Sequence, residues 1–288
     1  MTEYIIHKAV AGLGNRLQAL GRCVDLAAQT GATLITDWRD LSWQDHFTSC
    51  WALDSTPHKD MTPELAHSKH WGRTWPSFWT PDMLADFKRW DWPQWNAMKH
   101  VKEPKTNDAG ESSAVMAGTT TIVVCRYSAG YSDRLFSDLR VAPAVLIGVR
   151  EALHSNDLQP FGYDCLHVRH TDKKGSDPLQ AIAELDPSRD WVVCTDALTV
   201  KEQAQKAGHI CPSLIPKTQG GWGIHHTNRE HLQEQGMTRE DINRSAVIDM
   251  IICGLSRNFR HTCSSSSYDL FINRGRAAGW FQQIGEQL

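Results

Sequence analysis

Long apolar runs are missing from this chain of 288 residues, and so is a surplus of either charge. No stretch approaches the roughly 20 apolar residues that a membrane-crossing helix needs. The opening Met1-Thr2-Glu3-Tyr4 carries an acid early and only a strand-length apolar run after it, so it reads as neither a signal peptide nor a membrane anchor. A formal net charge of −3 excludes the global basic field that announces nucleic acid or acidic lipid. The eight cysteines include no pair at CxxC spacing, which removes the usual zinc and dithiol motifs. Cys125, Cys165 and Cys194 fall instead inside apolar strand-like runs, where a reduced thiol behaves as a small hydrophobe. None of the 14 histidines stands two or four residues from another, so a metal-dependent hydrolase has no ligand motif to build on. The expectation is a soluble, cytoplasmic protein without a metal site, in a reducing compartment.

What is present is globular. Hydrophobic residues at 41% and charged residues at 22% suit a packed core, and the length suits one large domain or two ordinary ones. The chain opens as strand, loop and helix: Tyr4 to Val10, then Gly12-Leu13-Gly14-Asn15-Arg16, then Leu17, Leu20, Val24 and Ala27 at helical spacing. Thr33 to Thr36 supply a second strand, as in a parallel pair with a crossover helix. Residues 41–105 differ, with most of the 12 tryptophans concentrated between Trp38 and Trp95 and only short helical pieces such as Asp82 to Trp90. Thr106 to Thr119 has loop composition and Thr120 to Cys125 reads as a strand. From Ala142 regular alternation returns. Helices are expected at Ala142–His154, Pro178–Leu185, Leu198–Ala207 and Arg239–Leu255, and strands at Tyr163–Val168, Trp191–Thr195, His209–Ile215 and Phe259–Thr262. A final helical region follows Ser264 to Ser267. Repeated β–α alternation implies a doubly wound parallel sheet. The expected fold is α/β with two Rossmann-like lobes, residues 1–140 holding the tryptophan-rich insertion and residues 141–288 forming the second lobe.

The chemistry concentrates where strands should end, which in α/β sheets is where ligands bind. His167, Arg169 and His170, then Asp172, Lys173 and Asp177, crowd the end of the strand Tyr163–Val168. Such a set suits an anionic substrate together with a proton acceptor, and a guanidinium can grip a diphosphate bidentately. Asp177 precedes Pro178, so spacing alone favours a helix cap over a general base. Asp196 ends the next strand. Asp249 interrupts an apolar helical run and needs a partner or a cleft. Ser264 and Ser265 belong to a four-serine run between a strand and a helix, where N–H and hydroxyl donors hold phosphate. The Gly12/Gly14 turn offers close backbone approach and positive φ, and Asn15 and Arg16 open a helix with free N–H groups. It lacks both the P-loop lysine and the third Rossmann glycine. Arg16, Trp38, Arg39, His170 and His226 are placed to line a cleft, while the adjacent His225 and His226 cannot share a metal.

Taken in order, Gly12-Leu13-Gly14-Asn15-Arg16-Leu17, His167-Val168-Arg169-His170-Thr171-Asp172-Lys173, Thr195-Asp196, and an apolar helix carrying Asp249 before a Ser-Ser turn resemble the fucosyltransferase superfamily. That group includes the α1,6-fucosyltransferases, rhizobial nodulation transferases and, more distantly, protein O-fucosyltransferases. Residues 41–120 carry no part of the resemblance. It implies a GT-B-like, metal-independent glycosyltransferase with the nucleotide on the C-terminal lobe and GDP-fucose as donor. It implies that Arg169 grips the diphosphate, that His167 and Asp249 contact guanosine, and that Ser265 donates to ribose or phosphate. Gly12 and Gly14 would close over the diphosphate, and Asp177 falls where the α1,6 enzymes carry a glutamate assigned as base. His170 replaces the second arginine of the family's pair, and Ala197 stands where a second aspartate follows Thr-Asp. Both departures bear on which base and sugar are selected.

The reading is therefore inverting transfer of a sugar, most simply fucose from GDP-fucose, to a hydroxyl acceptor. A glycan acceptor is expected, bound by the tryptophan-rich segment, since indole faces stack on sugar rings and equally on bases, while core packing and interdomain contact are expected to claim more than half of those tryptophans. Lys and Arg modestly outnumber Asp and Glu between Lys69 and Lys105, which keeps a modified base in nucleic acid as an alternative acceptor. A non-catalytic nucleotide-sugar-binding module is the alternative from another class. Donor hydrolysis without acceptor separates the two.

Overall fold

The computed structural model describes residues 1–9, 11–40, 43–68, 71–77, 79–85, 108–125, 132–169, 177–212, 232, 236–263 and 266–288. They form two compact units, Met1–Arg140 and Val141–Leu288, each a mixed α/β structure with a parallel sheet.

In the first unit β1 (Tyr4–Lys8) leads into α1 (Leu13–Thr30) and then β2 (Thr33–Asp37). The apolar stripe of α1, Leu17, Leu20, Val24 and Ala27, is buried, and Gly31 ends the helix in the left-handed conformation at φ 71°. The tryptophan-rich segment contributes β3 (Trp51–Leu53), β4 (His58–Asp60), α2 (Pro63–Ser68), β5 (Thr74–Trp75) and α3 (Pro81–Ala85). The helix expected through Trp90 is seen as far as Ala85; the rest lies outside the described residues. Next come α4 (Asp108–Met116), β6 (Thr121–Val124), α5 (Asp133–Asp138) and β7 (Leu139–Val141). The sheet order is β4-β2-β1-β6-β5, parallel throughout.

One expectation for this unit needs correction. Thr106–Thr119 is not a loop over its described part, because α4 occupies Asp108–Met116. Arg22 on α1 holds that helix, its Nε donating to Glu111 at 2.8 Å and its Nη2 to Ser112 at 3.0 Å. Of the tryptophans in this segment Trp75 is partly buried, and Trp90, Trp92 and Trp95 lie outside the described residues. Trp38, Trp43, Trp51, Trp71 and Trp79 are all buried, at 0%, 5%, 0%, 4% and 4% exposure. Trp71 and Trp79 pack with Ile6, Ile35, Met61 and Val123 in one core cluster. Burying large apolar rings stabilises the fold far more than leaving them in water.

His7 on β1 is fully buried and its Nδ1 accepts from Trp38 Nε1 at 3.2 Å. Its Nε2 therefore carries the proton and meets no hydrogen-bond partner among the described residues. Burial, reinforced by the Arg16 charge and opposed by Asp37, lowers its pKa from 6.5 to about 3. In that window the unfolded chain binds a proton that the folded chain refuses, so stability falls as pH drops from 6.5 towards 3. His7→Asn keeps an acceptor for Trp38 without the titration. Its melting temperature is expected to decline less steeply with acid than that of the wild type.

The second unit runs α6 (Pro143–His154), β8 (Asp164–Val168), α7 (Pro178–Ala183), β9 (Trp191–Thr195), α8 (Leu198–Lys206), α9 (Arg239–Gly254), β10 (Asn258–His261), α10 (Ser267–Ala277) and α11 (Trp280–Gly285). Its sheet is β10-β8-β9, again parallel. The strand expected at His209–Ile215 reduces, in its described part, to a single bridge between Val192 and Ile210. Helix α9 starts on a capping box, Thr238 accepting from Asp241 N while the Asp241 side chain accepts from Thr238 N. It ends at Gly254, where a Cβ would lie 2.0 Å from the Phe281 ring, so only glycine lets α11 pack there. Among the described residues no helix is long and apolar enough to cross a membrane.

Candidate functional site

The carboxyl edge of the second sheet gathers the charged groups. Parallel register sets His167 beside Cys194 on β9 and beside His261 on β10, with Val168 beside Thr195. Arg169 and Asp196 therefore leave the sheet at adjacent strand ends, both partly buried. Helix α10 begins at this same edge, with Ser266 as its cap. Asp269, in the first turn, approaches His167 with Oδ1 at 2.5 Å from Nδ1. Tyr268 stacks on the imidazole, ring centroids 4.7 Å apart and 29° between planes, and donates its hydroxyl to the Ala246 carbonyl on α9 at 3.2 Å. Asp249, on the same helix α9, is 5% exposed.

Burial opposes a charge on His167, yet the Asp269 carboxylate outweighs it and raises the histidine pKa above 6.5. The stabilisation is complete below the unfolded value and is lost as pH rises through the folded one. Asp269→Asn removes that dependence. Melting temperatures measured upward from pH 6 are expected to fall for the wild type relative to the variant.

This arrangement suits an anionic ligand. A guanidinium, an imidazole fixed by a buried carboxylate and the start of a helix share one sheet edge. Asp269 was absent from the sequence reading. Ser266 and Asp269 stand at capping-box spacing, and Asp269 N does donate to Ser266 Oγ at 3.4 Å, but that signal marks a helix start and not a partner for His167.

The other expected site residues are placed as follows. Asp177 is exposed and caps α7, its Oδ1 accepting from Leu179 N at 2.9 Å. His170, Asp172, Lys173, His226, Ser264 and Ser265 lie outside the described residues. In the first unit, Gly12 is the residue before α1, with φ −72°, and Gly14 is buried in the first helical turn. The positive φ expected of these glycines belongs to Ala11 instead, at 64°. Asn15 is partly buried in the same turn.

The cleft roles expected for Arg16 and Trp38 are not borne out, since both are fully buried. Arg16 donates from Nη2 to Asp40 at 2.6 Å and from Nε to the Ala11 carbonyl at 2.8 Å. Its guanidinium also lies over Trp38 and Trp43, 5.7 and 5.5 Å from the ring centroids. A buried cation needs that much compensation, and the surrounding indoles supply it. Arg39 is partly buried and spans both Asp37 oxygens at 2.9 and 3.0 Å.

The amino edge of the second sheet carries a groove of about 640 Å³ that includes Asp164, Arg189, Trp191, Arg257, Arg260 and Arg276. Its cations are committed to the protein. Asp164, fully buried, accepts from Arg257, Asn258 and Arg189 at 2.9, 2.9 and 3.1 Å. Arg260 sits over Trp191 at 5.8 Å, and Arg276 donates to the Gly254 carbonyl at 3.0 Å.

No protein-family model and no curated protein matches this sequence. Solved structures do match its fold. The chain is similar to NodZ α1,6-fucosyltransferase co-crystallized with GDP, at 15% identity and a TM-score of 0.58, over 95% of this chain and 92% of that one. The fold is fucosyltransferase-like. NodZ soaked with GDP-fucose gives 16% identity and a TM-score of 0.58 over 96% and 92% of the two chains. Fucosyltransferase NodZ from Bradyrhizobium gives 15% and 0.57 over 94% and 92%.

Proposed function

We propose that this chain is an inverting, metal-independent glycosyltransferase that moves fucose from GDP-fucose to a hydroxyl of a glycan. The second unit serves as the nucleotide-sugar-binding lobe of a GT-B-type enzyme. The reading is carried by Arg169 and the Asp269-held His167 at the carboxyl edge of a parallel sheet, in a fold shared with a transferase co-crystallized with GDP.

In this reading Arg169 faces the donor diphosphate. The acceptor oxygen attacks the anomeric carbon from the opposite side, the bond to phosphate breaks, and its electron pair leaves with the diphosphate. Arg169 and the start of α10 offset the charge that builds there, most strongly in the transition state. His167 and Asp249 contact guanosine, and Asp269 keeps the imidazole in one orientation. Asp177 takes the acceptor proton on the oxygen that does not cap α7. Asn15, Asp172, Lys173, Asp196, Ser264 and Ser265 complete the donor contacts.

A thermal-shift series with GDP, UDP, ADP and CMP sugars tests the donor class. Ligand binding to the folded state raises the melting temperature, by the equivalent of about 2.7 kcal/mol at 100 times Kd. GDP and GDP-fucose are expected to stabilise the protein selectively. Equal shifts for all four nucleotides, or none, would overturn the donor assignment.

A further inference from the structure

Three cysteines far apart in sequence converge in the core of the second unit. Cys165 comes from β8, Cys194 from β9 and Cys253 from α9, and each is fully buried. Their three sulfurs lie within 4.8 Å of one another, with Cys165 and Cys253 at 3.5 Å. We propose that Cys165, Cys194 and Cys253 form a three-thiolate site for one soft monovalent cation, Cu(I). The site is independent of the transfer reading, since none of the three sulfurs is assigned to donor or acceptor.

The geometry carries the choice of ion. Three sulfurs placed about 2.3 Å from a central ion in a plane stand about 4 Å apart, which this cluster reaches with small adjustments. Thiolates select soft ions, and trigonal Cu(I) needs no further ligand. Zinc in a closed structural site takes four. The one hydroxyl on the same strand run, Tyr163, is already committed to the Ile252 carbonyl at 2.7 Å. A core position needing a small apolar group is served by a single alanine or valine; sulfurs brought together from three elements supply a ligand set as well.

Three thiolates around one monovalent cation leave the loaded site net negative. The hydrogen bond to Cys165 and burial push the Cys194 thiol up, and burial does the same to Cys253, so the ion itself must displace those protons. The Arg276 guanidinium near Cys165 and His167 near Cys194 offset part of the charge, and Asp249 adds to it. Loading exchanges three S–H protons, released to solvent, for three sulfur–copper bonds, and no electron is transferred.

The test is metal analysis of the full chain, loaded in two ways: purified from copper-supplemented cells, and incubated as reduced protein with Cu(I) without oxygen. Both samples are then challenged with a Cu(I) chelator. One copper per chain is expected to remain in the wild type and in Cys211→Ser, and at least tenfold weaker retention in Cys194→Ser and Cys253→Ala. Circular dichroism checks that the variants fold. X-ray absorption on the loaded wild type decides independently of them: three sulfur neighbours are expected. No retained copper in either arm, retention unchanged in a folded Cys194→Ser protein, or a shell of fewer sulfurs would overturn the proposal.

Discussion

Arg169→Ala is expected to lower GDP release from GDP-fucose about 100–1000-fold, equivalent to about 3–4 kcal/mol of lost transition-state stabilisation. Arg169 follows directly on β8 and is partly buried, so its loss leaves no cavity in the sheet below. Circular dichroism and melting temperature should therefore stay close to those of the wild type while turnover collapses. Because diphosphate charge grows as the sugar departs, the effect should fall mainly on kcat and less on KM. Arg169→Lys should recover little, since an ammonium cannot reproduce a two-point grip on paired phosphates. Turnover like that of the wild type in Arg169→Ala would remove the mechanism.

The second large effect concerns stability. Lys8 and Asp37 are both fully buried and their charged groups lie 2.7 Å apart. Burial works against the Asp37 charge, but Lys8 and Arg39 outweigh it and hold the carboxyl below its usual range. Lys8 Nζ also donates to the Leu84 carbonyl on α3 at 3.2 Å and sits 5.8 Å from the Trp79 ring centroid. Asp37→Ala strands that ammonium in the interior. Breaking a buried pair from one side costs about 3–5 kcal/mol, and each kcal/mol moves the melting temperature by about 2–4 °C in a chain of this order. Removing both charges with Lys8→Met and Asp37→Leu together should cost clearly less than Asp37→Ala alone. Denaturant unfolding checks both expectations. Burial already pushes the Lys8 pKa down, so a loss below about 1 kcal/mol for Asp37→Ala would show that Lys8 sheds its proton once unpaired.

Periodicity made much of this fold legible. The stripe Leu17, Leu20, Val24 and Ala27 gave α1, and the apolar runs ending at Val168 and Thr195 gave β8 and β9 within a residue or so. Elements held by distant partners were not legible. Helix α4 has the composition of a loop and depends on an arginine 89 residues away in sequence. The three-residue β4, His58-Lys59-Asp60, is too short and too polar to show alternation.

The site divides the same way. Charge density at a strand end exposed His167, Arg169 and Asp196, because chain direction places such ends on the ligand edge. Asp269 lies 102 residues from His167, and only folding brings them together. Arg16 and Trp38 misled because a residue next to a glycine turn or in an indole-rich stretch looks exposed. Both are fully buried, with the Arg16 guanidinium over the Trp38 ring. The convergence of Cys165, Cys194 and Cys253 was not legible either, since spacing rules see only neighbours in sequence.

The account rests on where the diphosphate binds, and a crystal structure of the protein with GDP measures that directly. Paired phosphate oxygens within hydrogen-bond distance of the Arg169 guanidinium, with the start of α10 alongside, are the predicted result. GDP seated instead in the groove at the amino ends of the strands, against Arg189, Arg257 and Arg260, would contradict it.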